Sequence, residues 1–139
     1  MVNLKLLVSD VDILARTVYG EARGEDDEGR RAVAHAMINR WLASDGQFKR
    51  DDTLATACLR HVQFSCWNTG DPNLAKLLAV GINDFVFRQC FVAALTAIDE
   101  PDFTEGARHY HTKSVRPRWS RGHTPSYRHG VHIFFNDIS

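Results

Sequence analysis

Apolar positions recur along this chain with two different periods, and the change of period divides it. Val11, Leu14, Ala15 and Val18 fall three or four residues apart, the spacing of one face of an α-helix. Ser9, Asp10 and Asp12 stand at the head of that run. They offer a hydroxyl that can cap and carboxylates that favour the positive end of the helix dipole. The pattern predicts a first helix from about Ser9 to Ala22, stopping near Gly24. Ala32, Val33, Ala36, Met37 and Arg40 mark the inner side of a second, from Asp26–Glu28 to about Trp41, with Gly46 closing the turn after it. Thr53–Leu59 reads as a short helix capped by Asp52, and residues 62–68 as an aromatic-rich loop or short strand. Pro72 suits the first turn of a helix over Asn73–Val80. Asp84–Ile98, with Phe85, Val86, Cys90, Phe91, Ala94 and Leu95, is the most apolar helix and is expected at the centre of the core. Beyond Pro101 the texture becomes β-like. Gly106–His111 and Gly130–Phe135 are short runs joined by a loop rich in Arg, Pro, Gly and Ser. The expected class is α+β, mostly helical, a single domain over residues 1–139 with a small late β-ribbon.

Composition narrows the partners. The 139 residues carry 17 basic and 17 acidic side chains, a formal net charge of zero. Nothing global therefore points to nucleic acid or an anionic membrane. The charge is uneven, however: Arg108, Lys113, Arg116, Arg118, Arg121 and Arg128 occur without an intervening acid. Such a stripe fits either a solvated basic rim or a surface facing an anionic polymer. Three cysteines, Cys58, Cys66 and Cys90, lack metal-type spacing and read as reduced thiols. No stretch approaches the roughly 20 apolar residues that span a bilayer. The apolar run at Leu4–Val8 is too short for a signal-peptide core with a cleavage site.

The most informative segment is Tyr19-Gly20-Glu21-Ala22-Arg23-Gly24-Glu25. Its glycines would let the backbone approach a bulky ligand. A carboxyl group at the end of an apolar helix is held protonated by burial, as a general acid requires. Read with its neighbours, residues 11–25, Glu28-Gly29, Ala32-Val33-Ala34 and Ile38-Asn39-Arg40, the segment resembles the spore cortex-lytic and cell-wall hydrolase family. Members share a run of the type L-A-R-x-x-x-G-E-A-R-G-E-x-x-x-G-x-x-A-V-A-x-x-x-x-N-R. Gln63-Phe64-Ser65-Cys66-Trp67 is similar to the Q-F-S-x-W block of its proteobacterial and phage members. Residues 106–111, Trp119 and residues 130–135 resemble its later blocks in order, so the likeness covers about residues 11–135. His111 departs from the asparagine of spore-type members.

The resemblance implies a lysozyme-like fold and cleavage of the β-1,4 bond between N-acetylmuramic acid and N-acetylglucosamine. It places the essential acid at Glu21. Spore-type relatives are lytic transglycosylases, for which one carboxyl group serves both steps and no cofactor is needed. A hydrolytic muramidase would need a second carboxylate, with Glu25 and Glu28 nearest in sequence. Trp67, Tyr110 and Trp119 are candidates to stack on sugar rings, and Gln63, Ser65 and His111 to bond to hydroxyl or acetamido groups. His109 and His111 share a face if that run is a strand, which is metal-ligand geometry. A metal-dependent amidase is therefore a rival reading, although no zinc signature accompanies them and no bound metal is expected. A non-catalytic wall- or nucleic-acid-binding module using the basic stripe is another. The expected partner is the peptidoglycan glycan strand. The enzyme is expected to be a monomer made in a host cytoplasm, without nucleic acid or membrane insertion. As a phage endolysin it would depend on a holin to reach the wall.

Overall fold

A computed structural model describes residues 6–43, 53–59 and 65–138. Among the described residues five α-helices come first: α1 (Val8–Ala22), α2 (Asp27–Leu42), α3 (Leu54–Leu59), α4 (Pro72–Ala79) and α5 (Phe85–Asp99). A three-stranded antiparallel sheet follows, β1 (His109–Thr112), β2 (Tyr127–His129) and β3 (His132–Phe135), in the order β1-β3-β2. Short 3₁₀ turns occupy Ser65–Trp67 and Arg118–Ser120. The mostly helical α+β class with a late ribbon is therefore the observed one.

The helix starts show how local chemistry sets the boundaries. Asp26, Asp71 and Asp84 sit in extended backbone before α2, α4 and α5, and each side chain accepts one of the first free N–H groups of its helix. Pro72 takes the first helical position of α4. At α1 the expected hydroxyl cap is not made, because the helix begins one residue earlier and Ser9 lies inside it. Asp10 does the work instead: it accepts from the Leu7 N–H at 2.8 Å and, through its other oxygen, from the Ala55 N–H at 2.9 Å. One buried carboxylate thus closes α1 and ties α3 to it. The expected Asp52 cap and Gly46 turn lie outside the described residues.

The core corrects a second expectation. The most apolar helix, α5, is not central. It buries Phe87, Cys90, Ala93, Ala94 and Ala97 against α1 and α2 and leaves Phe85, Val92 and Leu95 largely exposed. Alanines on its inner side permit close approach, while the described elements cover only that side. The central helix is α1, which touches α2, α3, α4, α5 and the Ser65–Trp67 turn. Leu14 and Val18 are fully buried there with Met37, Leu54, Leu77 and Phe134. Arg16 locks the far side. Its guanidinium pairs with Asp12 and donates to the carbonyls of Leu77 and Val80, both at 2.7 Å, closing the C-terminal end of α4. No helix among the described residues is long and apolar enough to cross a membrane.

The strand missing from the sequence reading is β2, hidden in the basic loop. It pairs with β3 across the two-residue turn Gly130–Val131. Gly130 has φ +56°, and a Cβ there would lie 2.6 Å from Glu25 Oε1. Turn and close approach both require glycine.

Candidate active site

Glu21 lies in the last turn of α1, and three donor groups from two residues converge on it. Strand alternation turns Tyr110 toward the helices, where its hydroxyl donates to Glu21 Oε1 at 2.5 Å. The Cys66 thiol and the Cys66 backbone N–H also bond to the carboxyl group. Their approach depends on Gly20: a Cβ there would stand 2.7 Å from Cys66 Cβ, 2.8 Å from Cys66 Sγ and 2.8 Å from Leu77 Cδ2. The space beside Gly20 is thus filled by protein, not left for ligand as its place in the motif suggested. Gly24 has nothing within 4 Å of a built Cβ.

Burial raises the Glu21 pKa above the usual carboxylate range. Hydrogen bonds from Tyr110 and Cys66 pull it part of the way back, and the nearby charge of Asp71 adds to the rise. Burial and the adjacent Glu21 hold both the Tyr110 phenol and the Cys66 thiol protonated, so each remains a donor. Glu21 as a residue is partly exposed. An acid that holds its proton more tightly than usual, is oriented and can be reached can deliver that proton to an oxygen placed against it.

The acids that follow Glu21 have a different fate. Glu25 accepts from the Val131 N–H at 3.0 Å and faces His132 Nδ1 at 3.2 Å. Asp26 holds His129 at 2.7 Å besides capping α2. Glu28 accepts from the Tyr127 hydroxyl and faces His129 Nδ1 at 2.9 Å. Glu25, Asp26 and Glu28 therefore dock on one face of the sheet, Asp27 pairs with Arg31 of its own helix, and Glu21 stands apart with Tyr110 and Cys66 as its partners.

The other sequence candidates separate in space. Trp67 is half-buried with its indole N–H donated to Thr17 Oγ1 at 2.8 Å, which anchors the turn carrying Cys66 beneath Glu21. His111 and Trp119 lie on the opposite face of the sheet from Tyr110. His111 stacks on Phe135 with ring centres 5.4 Å apart and meets Trp119 edge-on at 5.6 Å. Gln63 and the Ser65 side chain lie outside the described residues. Arg23 donates to Asn73 Oδ1 at 2.8 Å, not to Glu25. Asn39 and Arg40 bond to the carbonyls of Ala107 and Arg108 and fasten α2 to the start of β1.

His109 does share a face with His111, but it packs on Trp119, and burial with Arg40 and Arg108 nearby lowers its pKa to about 4. His123 pairs with Asp137. Among the described residues no group of three His, Cys, Asp or Glu could hold a metal ion. The residue missed by sequence reasoning is Cys66. Its signal was the glycine beside Glu21, a close-approach position needing a partner, together with a small apolar residue inside a polar block.

The fold has close counterparts. The catalytic domain of the Bacillus cereus SleB protein superposes with a TM-score of 0.76 at 23% identity, covering 97% of each chain. The catalytic domain of the germination-specific lytic transglycosylase SleB from Bacillus anthracis gives 0.74 at 24% identity, covering 97% of this chain and 99% of that one. No curated protein matches the sequence. The family model described as Cell Wall Hydrolase matches residues 24–135, a span that begins just after Glu21. The match takes in the docked acids, Tyr110 and all three strands, and the chain belongs to the cell wall hydrolase family.

Proposed function

We propose that this enzyme cleaves the glycan strand of peptidoglycan at the β-1,4 bond between N-acetylmuramic acid and N-acetylglucosamine, as a lytic transglycosylase with Glu21 as its general acid and base. The observation that carries the reading is the Glu21 carboxyl group, buried enough to keep its proton and oriented by Tyr110 and Cys66. Glu21 donates its proton to the leaving O4 of N-acetylglucosamine as the bond to muramoyl C1 breaks. The substrate's own acetamido group stabilises the cation at C1. The muramoyl C6 hydroxyl then attacks C1, and ionised Glu21 takes the hydroxyl proton. The acid is regenerated, no water is consumed, and the product is a 1,6-anhydromuramoyl end.

The engagement of Glu25 and Glu28 with the hairpin supports this route over a two-carboxylate one. Hydrolysis has one feature in its favour: the charge of Asp71 is felt at Glu21. Asp71 Oδ1 already accepts from the Asn73 N–H at 2.8 Å as the cap of α4. Mass spectrometry of muropeptides released from purified sacculi decides. Anhydro ends are expected. Reducing muramic acid ends would mean hydrolysis, and free stem peptides would reject glycosidase action. The Q-F-S-x-W block shared with phage members supports an endolysin role, with a separate protein opening the membrane. Lysis on co-expression with a holin, and none without it, is the expected result.

A further inference from the structure

The basic stripe of the late loop is not used by the chemistry at Glu21, and folding gathers part of it into a cavity. On the outer face of the sheet, away from Tyr110, a hollow of about 340 Å³ is lined by Lys113, Arg116 and Arg128 over a floor of Val115, Ile133 and Phe135. His111 and His123 complete its wall. No carboxylate lines it. Among the described residues Lys113, Arg116 and Arg128 have no ion pair, whereas His123 is paired with Asp137. Three uncompensated cations around an apolar floor suit an anion carried on an organic body. A bare phosphate chain would leave the floor unused.

From this geometry we infer that the cavity binds a carboxylate of the acidic stem peptide attached to the muramoyl residue. The inference rests on the glycan-cleavage reading, since a muramoyl ring at Glu21 brings its peptide with it. The path is short. β1 is an edge strand whose alternate residues face the two sites, Tyr110 toward Glu21 and His111 into the cavity. A sheet with its side chains is about 10 Å through, and an extended peptide advances about 3.3–3.6 Å per residue. About three peptide residues therefore carry a chain round the edge. The wall's peptide becomes a recognition element, and naked glycan a poorer substrate than the intact wall.

The test compares intact sacculi with glycan strands stripped of peptide by an amidase, for the full chain and a Lys113→Gln/Arg116→Gln/Arg128→Gln variant. Expected is a rise of about tenfold in KM on intact sacculi, with kcat held and turnover of stripped strands unchanged within twofold. Arg116→Gln alone, on an exposed loop, should give a smaller rise in the same direction and serves if the triple variant folds poorly. In the Glu21→Gln background, a synthetic stem tetrapeptide should bind the parent chain and not the triple variant. Equal losses on both substrates, no loss on either, or saturation by poly(glycerol phosphate) in place of the peptide would overturn the inference. Anhydro ends from stripped strands would persist in all those cases, so failure here leaves the glycosidase reading standing. The absence of such ends would sink that reading separately.

Discussion

Glu21 and Glu25 stand four residues apart in one acidic turn, yet the fold gives them opposite tasks. Both face the inner side of the same sheet. Glu25 accepts from the Val131 N–H and faces His132, which holds the acidic turn on the hairpin. Glu21 accepts from a phenol, a thiol and the Cys66 backbone N–H in a desolvated place. Hydrogen bonds to a carboxylate favour its ionised form, but at Glu21 burial outweighs them and the proton is held more tightly than in an ordinary carboxyl group. Composition does not separate the two; the surroundings that folding gives each do. The sharpest way to break the contrast is to neutralise each acid in turn. Glu21→Gln should lower kcat by about 10²–10⁴-fold, the usual worth of a positioned general acid, with folding retained. Glu25→Gln should leave kcat on sacculi within a few-fold of the parent. Turnover assays on both proteins, with circular dichroism as the control for folding, check the pair. A Glu25→Gln enzyme as dead as Glu21→Gln would mean that Glu25 takes part in the chemistry.

The next effect falls on stability. Gly130→Ala must place a Cβ 2.6 Å from Glu25 Oε1 on backbone at φ +56°. Both the clash and the left-handed backbone oppose it, and together they should cost about 2–4 kcal/mol. Thermal melting should show a drop of roughly 5–15 °C. At temperatures where the variant is folded, its turnover should stay near that of the parent. Gly20→Ala makes the matching test at the other acid. It pushes on Cys66 and Leu77 instead, so turnover should fall along with the melting temperature.

That pair also shows where the sequence stops being legible. The helices were readable because their apolar spacing and aspartate caps are local signals. Glu21 was readable because it combines a motif with a helix end. The docking of Glu25, Asp26 and Glu28 was not, since their partners Tyr127, His129 and His132 lie more than a hundred residues away, or nearly so, in a loop whose basic character masks a strand. Tyr110 was singled out for a sugar but bonds to the acid. Its neighbour His111, one residue on, faces the other side of the sheet. Such a split follows from the two-residue period of a strand and can be drawn only once the strand's register is known. The central place of α1 was hidden for a similar reason. Its apolar content is ordinary, and what makes it central is that every other helix packs on it.

A smaller effect separates orientation from charge. Tyr110→Phe keeps the ring against Phe134 and His132 but removes the hydroxyl from Glu21. One lost donor to an ionising group should cost about tenfold in kcat. Because that donor pulls the Glu21 pKa down, its loss should move the pKa further up. Activity that depends on protonated Glu21 declines as pH rises through that pKa, so the alkaline limb of kcat/KM should shift to higher pH. A tenfold loss with an unmoved limb would mean that Tyr110 acts on the substrate and not on the acid.

The smallest expected effect is thermodynamic, and it has the opposite sign at the two acids. Burial raises the pKa of Glu21 in the folded chain above its unfolded value. The native state therefore holds this proton more tightly than the unfolded state. The associated stability is fully present below the ordinary carboxylate range and is lost as pH rises through the raised value. Glutamine has no charge to desolvate. Glu21→Gln should thus match the parent near pH 4 and exceed it at pH 8 by about 1 kcal/mol, the stability an active site commonly gives up for function. Glu25→Gln weakens the acceptor for Val131 and His132 and should melt below the parent at pH 8. Melting curves of the three proteins at the two pH values measure this directly. Were Glu21→Gln no more stable than the parent at pH 8, the carboxyl group would be paying nothing for its burial, and the physical reason for treating it differently from Glu25 would be gone.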